Sequence, residues 1–157
     1  MKSWKKAICL ALALTLALGG ISCKKEKAPV VTEPEDPVTD TYLVRDGASD
    51  YTIVVPTDAG TDIQFAAGEL QMFFREATGV ELPIVTDEGR TFSESDKVLS
   101  IGDTTILRGS GVTVSAAELG TDGLRLVTQG DTVLMAGGSD TGAMYAAYEF
   151  LERTFNF

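Results

Sequence analysis

The glycine-rich segment GGSDTG, residues 137–142, has the residue types and spacing that could hold a phosphate group. Gly137 and Gly142 are separated like the two glycines of a P-loop, in which a Lys and then a Ser or Thr must follow. Ala143 and Met144 follow instead, so no ammonium group is present to neutralise the β- and γ-phosphates of a nucleotide. The spacing of the glycines therefore does not predict a nucleotide site.

A dinucleotide-binding loop is excluded at the same place, because Met135 stands where its first glycine belongs. We interpret the glycines as a turn between a strand and a helix, with Ser139 or Asp140 capping the helix. A capped helix N-terminus can still bind an anion, so a ligand-binding loop stays open as the alternative.

Carboxylates are the second group of side chains that could do chemistry, because glycosidases generally use two of them across a sugar bond. Glu69 and Glu76 are two turns apart on a predicted helix and could share one face. Four more carboxylates lie in one predicted loop: Asp87, Glu88, Glu94 and Asp96. None of these pairs has a recognisable catalytic setting, so we interpret them as solvated charge and predict no catalytic residue.

The composition also disfavours chemistry that depends on histidine or on a metal. The chain has no histidine, which excludes Ser–His and Cys–His catalysis and removes the commonest zinc ligand. The acidic segment TDEGRTFSESD, residues 86–96, lacks the alternating ligand spacing of a calcium loop. The sequence therefore predicts no metal site and no cofactor.

Cys23 is a candidate for covalent modification. It follows the basic start MKSWKK and the uncharged run AICLALALTLALGGIS, which is short for a membrane span and typical of a secretory signal. This leader resembles a bacterial lipoprotein signal, in which the cysteine receives lipid and becomes the mature N-terminus. Ser22 fits that pattern, whereas Gly20 stands where the pattern prefers Leu. We expect lipid on Cys23; the alternative is an ordinary signal peptide, residues 1–22, followed by an incidental cysteine.

Residues 23–41 are predicted to be an extended tether, because they hold three of the five prolines and eight charges and cannot bury a core. Loss of the leader removes three of 13 basic side chains and no acid, leaving 10 basic and 23 acidic groups, a net charge of −13. This charge disfavours nucleic acid and anionic lipid surfaces. We therefore expect an exported protein held in the bacterial cell envelope by its lipid, in the outer membrane on its periplasmic or surface face.

Residues 42–157 form the predicted folded domain. Apolar periodicity and turn residues predict strands at 51–56, 81–85 and 97–102, a helix from about 62 to 78 that stops at Gly79, a hairpin over 124–138 that turns at 129–131, and a helix at 140–154. The order β-α-β-β-β-β-α predicts an α/β sandwich, with a mixed β-sheet and two packed helices. Residues 103–123 are predicted to be irregular, with VTV at 112–114 as an optional short strand.

Both predicted helices carry apolar stripes. Thr61 and Gln64 have capping-box spacing at the start of the first helix. Its predicted buried stripe is Ile63, Ala67, Leu70, Phe74 and Ala77. The last helix has one stripe for the sheet, Ala143, Ala147, Phe150 and Thr154, and a second, Met144, Tyr148, Leu151 and Phe155, extended by Phe157. Two stripes predict burial on two sides, of which the sheet can cover only one.

The stretch YTIVVPTDAGTDIQFAAGELQMFFREATGVELPIV resembles the opening of the N-terminal domain of α-glucuronidases and their relatives. VLSIGDT resembles that domain's next strand, and LGTDGLRLVTQGDTVLMAGGSDTGAMYAAYEFLE resembles its closing hairpin and helix. The resemblance covers about residues 50–157, and the fold is similar to that of the domain preceding the barrel in β-hexosaminidases. It implies a domain that precedes a catalytic (β/α)₈ barrel, where the catalytic carboxylates lie. No residue of this chain matches a catalytic motif of the family.

From this resemblance we expect a non-catalytic accessory domain of an exported, lipid-anchored glycoside hydrolase involved in polysaccharide breakdown. The chain ends where the barrel would begin, so we expect a fragment whose last helix docks on the missing barrel through its second stripe. The alternative is a stand-alone carbohydrate-binding or structural surface lipoprotein, although the single tryptophan, Trp4, lies in the leader.

Overall fold

The computed structural model describes residues 41–156. The elements in chain order are β1 (Thr52–Val55), α1 (Thr61–Thr78), β2 (Ile84–Thr86), β3 (Val98–Ile101), α2 (Thr105–Gly109), α3 (Ala116–Leu119), β4 (Leu124–Gln129), β5 (Thr132–Gly137) and α4 (Asp140–Phe155). None of the helices in this part of the chain is long and apolar enough to cross a membrane. The predicted lipid site, Cys23, lies outside the described residues.

The five strands form one mixed sheet in the order β2-β1-β3-β5-β4. β2, β1, β3 and β5 are parallel, and β4 pairs antiparallel with β5 through a hairpin that turns at Gly130 and Asp131. The central strands are short apolar runs, as expected for strands covered on both faces. The α/β fold class and the order of strands and long helices are confirmed, and β2 lies at the edge, as Pro83 indicated.

The two long helices pack on one face of the sheet and lie side by side. Both helices run in the same direction, because two hydrogen bonds join them in the same order along each chain segment. Thr141 of α4 bonds to Asp62 of α1, and Tyr148, farther along α4, bonds to Glu69, farther along α1. Each large apolar side chain removed from water here stabilises the fold by roughly 1.5–3 kcal/mol. The buried residues of the helices are Ile63, Ala66, Ala67, Leu70 and Phe74 of α1, and Gly142, Ala143, Ala146, Ala147, Phe150 and Leu151 of α4.

The opposite face of the sheet is covered by α2 and by loops. Ile106 and Leu107 of α2 pack there against buried strand residues such as Val54 and Leu134. The prediction that residues 103–123 are irregular is wrong in part, because Thr104 and Ser115 cap the short helices α2 and α3. The optional strand at 112–114 is absent from this described segment.

The start and end of α1 differ from the prediction in two details. The capping-box prediction is wrong, because Thr61 is already helical. The N-cap is Gly60, so no side chain caps this end of the helix. Gln64 instead donates to the Ala59 carbonyl at 2.7 Å. Gly79 ends the helix in the left-handed conformation as predicted, but Ala77 is exposed, because burial along α1 stops one turn earlier.

The second stripe of α4 is covered within the domain, by α1. The Phe155 ring meets the buried Phe74 ring edge-on, with centroids 5.5 Å apart. The Tyr148 hydroxyl donates to the Glu69 carboxylate at 2.9 Å, and Met144 packs against the same core. The stripe therefore packs within the domain, where Leu151 is buried and the other three residues are partly buried, and its contact with a barrel stays a prediction. Thr154, predicted to face the sheet, is exposed.

Candidate functional site

The glycine-rich turn between β5 and α4 serves close packing. Ser139 is the N-cap of α4, and its hydroxyl accepts from the Gly142 N–H at 3.3 Å. A Cβ on Gly138 would overlap the Gly120 carbonyl oxygen, and one on Gly142 would overlap the Gly123 carbonyl oxygen. The glycines therefore let the loop before β4 lie directly on the start of α4. The predicted turn capped by Ser139 or Asp140 is confirmed, with Ser139 as the cap.

A groove of about 440 Å³ lies beside this turn, where β3 and β5 end. Gly102 after β3 and Gly138 after β5 lie on its two sides, and Val112 and Val114 line it from the loop that joins α2 to α3. Ligands of open α/β sheets bind at the carboxyl ends of parallel strands, so this is the place where such a fold would hold a small molecule.

Polar groups that face the groove are largely engaged within the domain. The Ser139 hydroxyl donates to the Thr121 carbonyl at 2.6 Å, and the Ser115 hydroxyl accepts from the Glu118 N–H of α3 at 3.2 Å. The Arg108 guanidinium donates to the Asp103 carbonyl at 2.9 Å and forms an ion pair with its carboxylate at 3.1 Å. These lining side chains of Ser139, Ser115 and Arg108 therefore also support the fold.

Asp87, which follows β2, is the one buried carboxylate of the described domain, with 3% of its surface exposed. One of its oxygens accepts from the Thr57 N–H at 2.9 Å and the Thr57 hydroxyl at 2.8 Å. The other accepts from the Thr105 N–H at 2.7 Å. Asp87 therefore joins the end of β1 to the start of α2.

Burial of Asp87 disfavours its charged form, but the bonds from Thr105 and Thr57 and the Arg108 guanidinium outweigh burial and lower its pKa. The Arg108 nitrogen lies 3.8 Å from the carboxylate. A carboxylate that accepts several N–H and O–H bonds and has a lowered pKa is a stable anion rather than a proton donor. The sequence analysis missed this role, because it interpreted Asp87 as a solvated charge in a loop.

The other candidate carboxylates lie on α1 and in the loop between β2 and β3. Glu69 accepts the hydrogen bond from Tyr148; burial and this bond raise the pKa of the Tyr148 phenol. Glu76 is exposed on α1. The remaining three are also exposed: Glu88, Glu94 and Asp96. Over residues 41–156, no group of three Asp, Glu, Cys or His side chains could hold a metal ion.

A second surface feature lies on the outside of the helical layer, and we call it the helical face. Phe65 and Met72 of α1 are 54% and 42% exposed, and Tyr145 of α4 is 41% exposed. Between Phe65 and Met72 lies Gly68, at an open depression of about 310 Å³. The helical face consists of these four residues. The sequence analysis missed it, although two large apolar residues seven apart on the polar side of a helix were a visible signal.

A family model described as "Glycosyl hydrolase family 67 N-terminus" matches residues 36–150, well over half of the chain. The chain belongs to this family. As a glycosyl hydrolase family 67 N-terminus, it is a glycoside hydrolase-associated domain, and the predicted resemblance to the α-glucuronidase N-terminal domain is confirmed. No curated protein matches the chain.

Among solved structures, this family 67 N-terminus has a likeness to a chain in the crystal structure of the CTP1L endolysin, whose activity is regulated by a secondary translation product. The two are 20% identical, with a TM-score of 0.36, over 66% of this chain and 28% of the endolysin chain. This chain thus matches less than a third of the length of that protein.

Proposed function

We propose that the chain is a non-catalytic accessory domain of an exported, lipid-anchored glycoside hydrolase that breaks down polysaccharide. The observation that carries this proposal is the family match over residues 36–150. The carboxylates of the described residues support it, because Asp87 and Glu69 are engaged in hydrogen bonds that join elements of the fold. The domain would support a catalytic domain rather than perform hydrolysis itself.

Hydrolysis by the purified chain is the direct test of the non-catalytic role. We expect no turnover of aryl glucuronides or aryl hexosaminides above the rate without protein. Turnover that is lost in Glu69→Gln or Glu76→Gln would show that this chain carries its own catalytic carboxylates and would contradict the proposal.

Lipid attachment at Cys23 is the second part of the proposal. It is supported by the basic and apolar leader before Cys23 and by the proline-rich segment after it. The chain offers a matched control, because its other cysteine, Cys9, lies inside the leader. After growth with an alkyne-labelled fatty acid, Cys9→Ser should keep the label and Cys23→Ser should lose it. A Cys23→Ser protein that still enters the detergent phase like the original would refute the lipid anchor.

A stand-alone carbohydrate-binding lipoprotein is the second candidate function, and the groove beside β3 and β5 is the observation that favours it. Its volume of about 440 Å³ lies within the range of small-molecule sites. Titration calorimetry with glucuronic acid and with oligosaccharides that carry glucuronic acid tests this candidate. Saturable binding that Asp103→Asn weakens, together with no catalytic partner, would favour it over the accessory role.

A further inference from the structure

We propose that the outer edge of β4 pairs antiparallel with the same edge of a second copy of this chain. The two five-stranded sheets would then join into one continuous sheet across a twofold axis. The surface concerned is the outer side of Leu124–Gln129, which we call the β4 edge. The inference is independent of the proposed accessory function, because it rests on the sheet alone.

Every second residue of β4 points its backbone N–H and C=O groups away from the sheet. The Gly138 N–H donates to the carbonyl of Gly123, the residue directly opposite, at 3.0 Å, so these two form a hydrogen-bonded pair. Such pairs alternate with non-hydrogen-bonded pairs along an antiparallel ladder. The outward backbone groups therefore belong to Leu124, Leu126 and Thr128. Within residues 41–156, no further strand, loop or side chain forms a hydrogen bond with them.

The β4 edge lacks the features by which proteins usually keep the edge of a sheet from pairing. Those features are short strands, prolines and charged side chains. β2, at the other edge, has three residues and follows Pro83 directly. β4 has six residues without a proline, and its one charged side chain, Arg125, is held by Glu118 at 2.9 Å. The edge at β4 is therefore the one that can accept a further strand.

The sequence of β4 is complementary to itself. A pairing that uses all three outward residues places the second copy's Leu126 opposite Leu126 and its Thr128 opposite Leu124. Arg125 then lies opposite the second copy's Val127, so no like charges are directly opposed along the strand. Leu126 packs against the core on the helical side of the sheet, so the two Leu126 side chains would extend that apolar layer. A shift that pairs Leu124 with the second copy's Leu126 would oppose the two Arg125 side chains, which is unfavourable.

Thr128→Pro is the test substitution, because it removes one outward N–H and no hydrogen bond between β4 and β5. The matched control is Thr86→Pro at the other edge of the sheet. The Asp87 N–H donates to the Val55 carbonyl in the parallel ladder of β2 and β1, so the Thr86 N–H also points outward. Both threonines are exposed, so the two variants make the same chemical change at opposite edges.

The experiment uses the full chain, carrying Cys23→Ser to remove any lipid and kept in detergent to disperse the apolar leader. Sedimentation velocity over a range of protein concentrations measures the dissociation constant of the dimer. Thermal unfolding checks that each variant is folded. Amide hydrogen exchange of the chain without either proline substitution, followed by NMR, reports on each outward N–H separately.

We expect a concentration-dependent dimer whose dissociation constant rises at least about tenfold in Thr128→Pro and changes little in Thr86→Pro. Exchange at the three outward N–H groups of β4 should slow as the protein concentration rises. The Val127 N–H, which bonds to β5, should exchange slowly at every concentration. If Thr128→Pro does not fold, the exchange measurement decides by itself.

A chain that stays monomeric at every concentration overturns the inference, as does a dimer that both proline variants weaken equally. Slow exchange at the outward N–H groups of a monomer would show that another segment of the same chain covers the β4 edge, and would also overturn it.

Discussion

Replacing Asp87 by asparagine tests whether this buried carboxylate holds the end of the sheet together. Its two oxygens accept three hydrogen bonds, from Thr57 and Thr105, at 2.7–2.9 Å. Asparagine has the same shape but one acceptor oxygen, so its amide would face an N–H donor on one side. Each buried donor left without an acceptor costs roughly 1–3 kcal/mol. We expect Asp87→Asn to lose about 2–3 kcal/mol of unfolding free energy. The loss should not be larger, because Thr57 is exposed and water can accept from its donors.

The pH dependence of this loss follows from the lowered pKa of Asp87. The folded state binds the proton less readily than the unfolded state, so the contribution of Asp87 is fully present above its unfolded pKa of about 3.9. It declines as the pH falls below that value and through the lower pKa of the folded protein. The difference between the original chain and Asp87→Asn should therefore be large at pH 7 and shrink at about pH 3 and below.

Urea unfolding followed by circular dichroism at neutral and acid pH measures both effects. Glu88→Gln is the matched control, because it removes the neighbouring carboxylate, which is exposed, and should change the unfolding free energy by less than about 0.5 kcal/mol. An Asp87→Asn protein as stable as the control at pH 7 would refute the structural role. A stability difference that does not change with pH would refute the assignment of the stabilisation to the ionised carboxylate.

Substitutions at three further positions test the packing of α4. Gly138→Ala should destabilise the domain by roughly 1–3 kcal/mol in chemical unfolding, because its Cβ would overlap the Gly120 carbonyl; an unchanged midpoint would contradict that close approach. Ser139→Ala should cost about 1 kcal/mol through loss of the helix cap, whereas Ser139→Asp should retain most of the stability. Phe155→Ala should cost roughly 2–4 kcal/mol, because the ring packs edge-on against Phe74; a loss below 1 kcal/mol would show that the last turn of α4 is not anchored there.

The sequence was sufficient for features that depend on neighbours along the chain. The spacing of Ile63, Leu70 and Phe74 predicted the buried side of α1, and the turn at Gly130 predicted the hairpin. These features could be predicted because helix period, strand alternation and turn chemistry are local properties. The same local reasoning extended the buried stripe to Ala77, where the helix no longer has the rest of the core beside it.

Features that depend on residues far apart in the chain could not be predicted in the same way. Periodicity showed that two stripes of α4 are apolar, but it could not show that α1 covers the second stripe. The role of Asp87 depends on Thr57 and Thr105, which lie 30 and 18 residues away. A carboxylate in a polar loop has the same local signal whether it is solvated or bonded to distant backbone groups, so only the assembled sheet distinguishes the two.

The geometry of α1 separates the residues that stabilise the domain from those that form its outer surface. Ile63 and Leu70 are fully buried, whereas Phe65 and Met72 are exposed. Each exposed residue follows a buried one by two positions, which is about 200° around a helix of 3.6 residues per turn. The inward and outward stripes therefore lie on nearly opposite sides of one helix. A polar substitution at Phe65 removes little buried apolar surface from the core and should leave the free energy of unfolding nearly unchanged, whereas the same change at Leu70 should unfold the domain.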